Sequence, residues 1–188
     1  MYFFNIQNCN FKPRSIEHAY FCILNKDLEN AEAVFASLDS PRANWGKSLV
    51  GILRGFLERF PTYFEIRNFF EIDLDFLLKN EKLEYVELLL GSLELLSQIN
   101  QEAYKFAARV MYENKLYNAT REYLEKSKKL NYRDPELHFL LSKYYMDYHN
   151  YSEANYYIEE CLKILPDYYP AKKQKIAIQK LISEFDTN

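Results

Sequence analysis

Glycine is scarce in this 188-residue chain, with four residues beside six prolines and three cysteines. So few glycines leave few glycine turns, and with 48% apolar and 27% charged residues the composition excludes disordered and collagen-like classes. The cysteines, Cys9, Cys22 and Cys161, lack C-x-x-C spacing, so reduced thiols in a cytoplasmic setting are expected. Long hydrophobic runs are missing too, and no stretch of about 18 apolar residues suggests a membrane span. The start, Met1 to Phe11, is apolar but has no basic stretch or small-residue cleavage site, so it is not expected to be a secretory signal. Neither sign of charge dominates, since 24 basic against 27 acidic residues give a net charge of −3 and no nucleic-acid footprint. The densest basic run, Lys126, Lys128, Lys129 and Arg133, falls where a helix should end and where cations favour the helix dipole.

Catalytic signals are equally thin. His18, His138 and His149 are isolated, no nucleophile or metal-ligand motif surrounds them, and no glycine-rich phosphate loop is present. Glu71, Asp73 and Asp75 share one helical stretch and read as a solvated acidic face. Neither an enzyme nor a cofactor is expected. The N-x-[ST] triplets at Asn118 and Asn150 read as chance matches.

What the chain does have is a period. Aligning Leu83, Tyr117 and Tyr151 brings Val86/Thr120/Ala154, Leu90/Leu124/Ile158 and Leu93/Ser127/Cys161 into register, each set 34 residues apart. A repeat of this length is one supersecondary unit that cannot bury its apolar face alone and stacks on its neighbours, leaving an inner surface for binding. Apolar residues at three- and four-residue steps, as in Leu83, Val86, Leu90, Leu93 and Leu96, form the packing stripe. The 17% aromatic content suits wide spaces between helices.

In the segment 135–168, His138, Leu141, Ser142 and Tyr145, followed by Ala154, Ile158 and Pro166, follow the W-x2-L-G-x2-Y…A-x3-F…P pattern, and the unit resembles the tetratricopeptide repeat (TPR). The segment 101–134 follows with Tyr104, Ala107, Ala108, Met111, Thr120 and Leu124, and 67–100 more loosely with Phe70, Asp73, Leu74, Leu77, Val86 and Leu90. The resemblance implies an all-α protein, an α-solenoid of antiparallel helix pairs in a right-handed superhelix.

Capping chemistry predicts about ten helices in one continuous domain. Ser15, Asp27 and Ser40 with Pro41 open the first three, the third running to about Phe60 before Pro61. Thr62 with Glu65 opens a fourth to Lys79, and a fifth covers Leu83 to Ser97. Asn100, Asp134 and Asn150 mark starts among helices six to nine, and a lysine-rich helix from Asp167 and Pro170 caps the C-terminal end over 169–188. Residues 1–60 fall out of register. Leu28, Ala31, Phe35 and Leu38 keep the second-helix spacing, so the first two helices read as a degenerate repeat or as a non-repeat cap, and the third as unpaired.

In the resembled family the first helix of each repeat lines a concave groove. Carried over, the groove positions are Asn68, Glu71, Asp75, Leu78 and Lys79, then Glu102, Lys105, Arg109, Tyr112 and Glu113, then Glu136, Phe139, Lys143, Met146 and Asp147. Lys105, Arg109 and Lys143, joined by Lys173, would form an exposed basic cluster beside Tyr112 and Phe139, with Glu71 and Asp75 making the other end acidic. The family's Lys and Asn clamp for a terminal carboxylate is not reproduced. The expected partner is another protein, through a peptide or helix that is acidic with an apolar anchor. The alternative is a structural subunit or secretion-type chaperone that self-associates through Tyr2, Phe3, Phe4 and Ile6.

Overall fold

The computed structural model describes residues 12–57 and 59–186, of which the side chains are described through 184. Among them every regular element is helical. Met1 to Phe11, including Cys9 and the apolar segment expected to self-associate, lie outside the described residues. The contacts divide the chain into two compact units, Met1–Ala103 and Tyr104–Asn188, where the sequence suggested one continuous domain.

The first unit opens with α1 (Ile16–Leu24), α2 (Leu28–Ala36) and α3 (Pro41–Leu53). Ser15, Asp27 and Ser40 each accept a backbone N–H of the following first turn, as their residue types require. A Cβ on Gly46 would collide with the ring of Phe35, so glycine lets α3 close on α2. The third helix stops at Leu53, not Phe60. Gly55 takes φ +75°, its N–H reaches Ile52 O and the Phe56 N–H reaches Gly51 O, a Schellman stop whose glycine lies six residues before Pro61.

The helix expected from Thr62 to Lys79 is α4 (Tyr63–Asn68) and α5 (Leu74–Lys79) with a π-helical turn, Phe69–Asp73, between them. The extra residue of a π turn shifts the side chains that follow it. The Thr62–Glu65 capping box is present. The helix expected from Leu83 to Ser97 breaks at Ser92 into α6 (Leu83–Gly91) and α7 (Leu93–Ser97), and the Ser92 hydroxyl bonds back to Leu89 O. Tyr20, Phe35, Phe69, Phe70, Leu77 and Leu89 fill the core, each aromatic or aliphatic side chain contributing roughly 1.5–3 kcal/mol by burial. Tyr20 meets Phe35 and Phe76 edge to face at 5.6 and 5.2 Å.

The second unit holds α8 (Ala103–Glu113, whose first residue ends the first unit), α9 (Tyr117–Leu130), α10 (Pro135–Asp147), α11 (Tyr151–Ile164) and α12 (Tyr169–Asp186). Ala108, Leu124, Leu137, Leu141 and Tyr157 join α8 to α11 in one cluster, and Ala154, Ile158, Cys161, Ala171 and Ile178 join α11 to α12. Ser142, in the small-residue slot of the repeat, is fully buried. Its hydroxyl donates to Ala154 O at 2.7 Å and accepts from Gln174 at 2.8 Å, tying three helices together.

One turn recurs. Lys26, Glu81, Lys115 and His149 all take left-handed backbone, φ 54–64°, immediately before the N-cap residues Asp27, Lys82, Leu116 and Asn150 of α2, α6, α9 and α11. Each is followed by the same six-residue closing bond: Asp27 to Cys22, Lys82 to Leu77, Leu116 to Met111 and Asn150 to Tyr145. The last three turns are 34 residues apart, as the sequence register requires. The first is 55 residues before the second, 21 more than one period. Asn25, Asn80 and Asn114, each preceding its left-handed residue, also donate their side-chain amide to the carbonyl four residues back. The α1–α2 hairpin therefore closes with the same turn as the three hairpins of the 34-residue register, and α3 lies in the extra length.

Candidate functional site

The residues expected to line the groove are divided between the units, and each set has its own chemistry. On α8, Lys105 is only 2% exposed, where an exposed cation was expected. Its Nζ lies 2.5 Å from Asp134 Oδ2 and 3.1 Å from Glu136 Oε2. Asp134 is itself buried because Pro135 fixes the start of α10 and Asp134 caps it, accepting from the Glu136 and Leu137 N–H groups. A buried ammonium requires such partners. Arg109, one turn along α8, reaches the same Glu136 at 3.2 Å. Burial pushes the Glu136 carboxyl up, but the charges of Lys105 and Arg109 outweigh it and hold it below the usual range. The basic cluster therefore loses two of its four cations to internal carboxylates.

Lys143 and Lys173 differ. Among the described residues neither has a carboxylate within ion-pair distance. Lys143 Nζ sits 4.9 Å from the Tyr112 ring centroid, and the Tyr112 hydroxyl donates to Asp147 Oδ2 at 2.7 Å. Burial, then the bond to Asp147, pushes the Tyr112 hydroxyl pKa up, so it stays a donor. Phe139 packs edge-on against Tyr168 at 5.4 Å, and Lys173 lies over Tyr169 at 5.6 Å. The second unit thus carries a surface of half-buried and exposed aromatics with two available ammonium groups.

In the first unit Glu71 pairs with Arg67 at 2.7 Å and Asp75 with Lys79 at 2.6 Å, both one helical turn apart. The acidic residues are thereby partly neutralised along their own rod. Such exposed pairs contribute about 0.3–0.5 kcal/mol.

Asp73 overturns the solvated reading. It is fully buried at the end of the π turn, accepting the Tyr20 hydroxyl at 2.6 Å and the Trp45 indole N–H at 2.9 Å. The Arg42 guanidinium lies 4.2 Å from the Trp45 ring and 5.0 Å from the Tyr20 ring. Burial raises the Asp73 carboxyl to about 6, against the opposing pull of both hydrogen bonds and of Arg42. The sequence does carry a sign of this, since Asp73 occupies a position where the repeat pattern places leucine. Its partners on α1 and α3 carry no such sign.

His138, in a packing slot, is fully buried. Its Nε2–H donates to Tyr132 O at 2.6 Å, while Nδ1 has no hydrogen-bond partner. Burial lowers its pKa, so the ring is neutral. Cys161 is buried as its small slot suggested, and burial pushes its thiol up to about 11. Cys22 and Cys161 are free thiols. Among the described residues no three His, Cys, Asp or Glu side chains gather as a metal ion would need, and no helix is long and apolar enough to cross a membrane. No family model and no curated protein matches the chain.

Proposed function

We propose that the chain is a TPR-like α-solenoid, its antiparallel helix pairs winding in a right-handed superhelix, that acts in the cytoplasm as a non-enzymatic interaction module. It binds a peptide or helical segment of another protein along the face of its first helices. The observation that carries this reading is the recurrence of one left-handed turn at Glu81, Lys115 and His149 with identical closing bonds every 34 residues. Stacked hairpins of this kind leave a long surface whose residues are not needed for packing. Lys143 and Lys173 beside Phe139, Tyr112 and Tyr169 suit an acidic ligand with an apolar anchor. Lys105 and Arg109 act instead within the scaffold, aligning Asp134 and Glu136.

Selection of a displayed random-peptide library against the full chain tests the reading. Enrichment of acidic peptides with one aromatic or aliphatic anchor is expected, and a Lys143→Glu, Lys173→Glu variant should lose them. No enrichment, or enrichment indifferent to the double substitution, rejects the proposed groove.

A further inference from the structure

In the first unit a separate groove of about 600 Å³ opens between the start of α3 and α4. This is within the size range of ligand-binding clefts. Trp45 forms one wall, immobilised by its N–H bond to buried Asp73 and by Arg42 over its face. Phe64, 70% exposed, stands on the α4 side. At the start of α4 Arg59 bonds Glu65 at 2.9 and 2.6 Å, and Glu65 also accepts the Thr62 N–H at 2.7 Å.

Three polar side chains facing this groove have no partner within the described part of the molecule. Among the described residues the side-chain amides of Asn44 and Asn68 make no hydrogen bond, and Lys47 has no carboxylate within ion-pair distance. Each carboxamide offers donors and an acceptor, the complement of a peptide backbone. Lys47 offers a positive charge, and the rigid Trp45 with exposed Phe64 offers a contact for one apolar side chain. The chain as a whole is acidic, so this cation is local to the groove.

We infer that this groove is a second peptide site, independent of the second-unit face, that takes an extended acidic segment with one apolar side chain. The backbone of the segment pairs with Asn44 and Asn68, its carboxylate meets Lys47, and its apolar side chain lies between Trp45 and Phe64.

Trp45 is the sole tryptophan, so it reports occupancy directly. Terminally blocked hexapeptides of glutamate with one central leucine or phenylalanine are titrated into the full chain, with lysine-for-glutamate versions as controls. A saturable change in Trp45 emission is expected for the acidic peptides only. It should weaken about tenfold in Lys47→Glu and in Phe64→Ala, both at exposed positions, and be unchanged in Lys143→Glu, Lys173→Glu. No saturable response to any acidic peptide, or equal affinity in Lys47→Glu, overturns the inference. An emission change that follows protein concentration without peptide, with a doubled mass, also overturns it and assigns the groove to a second copy of the chain.

Discussion

The two units close their helix hairpins with the same left-handed turn, yet they bury opposite charges. The first hides the carboxyl of Asp73 between Tyr20 and Trp45, while the second hides the ammonium of Lys105 against Asp134 and Glu136. The physical consequence differs because the Tyr20 and Trp45 donors with Arg42 only partly offset the desolvation of Asp73, whereas Lys105 has two carboxylates within ion-pair distance. Regularity differs with it. The first unit contains the π turn, the break at Ser92 and a helix outside the 34-residue register, and the second runs through its hairpins without interruption. A solvated helix face tolerates charge anywhere, but a charge in a packed layer demands partners from other helices.

Removing the partner in the second unit should have the largest effect. Lys105→Met strands buried Asp134 and is expected to cost about 3–5 kcal/mol, read as lost hydrogen-exchange protection confined to residues 104–186. Unchanged protection there would mean the pair contributes nothing to that unit.

Acidity should then separate the units by sign. The folded Asp73 carboxyl, at about 6, lies above its ordinary value of 3.8, so its contribution is complete below pH 4 and is lost as pH rises through 6. The first unit is expected to be more stable at pH 5 than at pH 7, by roughly 1 kcal/mol, as followed by Trp45 emission in urea. Asp73→Asn should flatten that slope. His138 works in the opposite direction. Its folded pKa lies below 6.5, so its contribution is complete above that value and is lost as pH falls through the folded pKa. Exchange protection of the second unit should fall between pH 7 and 5, and His138→Gln should remove the fall. A shared slope in both units would break the comparison.

The repeated turn offers a test of similar size. Lys115 and His149 hold left-handed backbone that a Cβ disfavours, so Lys115→Gly is expected to stabilise by about 1 kcal/mol in thermal denaturation. The smallest change expected is at Gly91, where an added Cβ meets nothing within 4 Å. Gly91→Ala should add about 0.5 kcal/mol, and a loss would show that the break between α6 and α7 needs glycine.

Much of this was legible in the residues. Ser15, Asp27, Ser40, Asp134 and Asn150 cap the helices their side chains suggested, because a cap is a local bond made within four residues. The early stop of α3 was legible too, through Gly55, but the more conspicuous Pro61 concealed it. The exposure of Lys105 was not legible, since helical position places a side chain on a face without saying what covers it. Two of the expected site cations proved to be internal for that reason, and Trp45, an unassigned tryptophan in sequence, became the wall of a groove.

Sequence alone therefore determined most helix starts, their caps and the 34-residue period of turns, all of which depend on contacts a few residues apart. Only tertiary structure decided which charges were desolvated, with Tyr20 and Asp73 brought together from 53 residues apart and Lys105 and Asp134 from 29. The energy of a charge depends on everything within a few ångströms of it, and that neighbourhood exists only once the chain has folded.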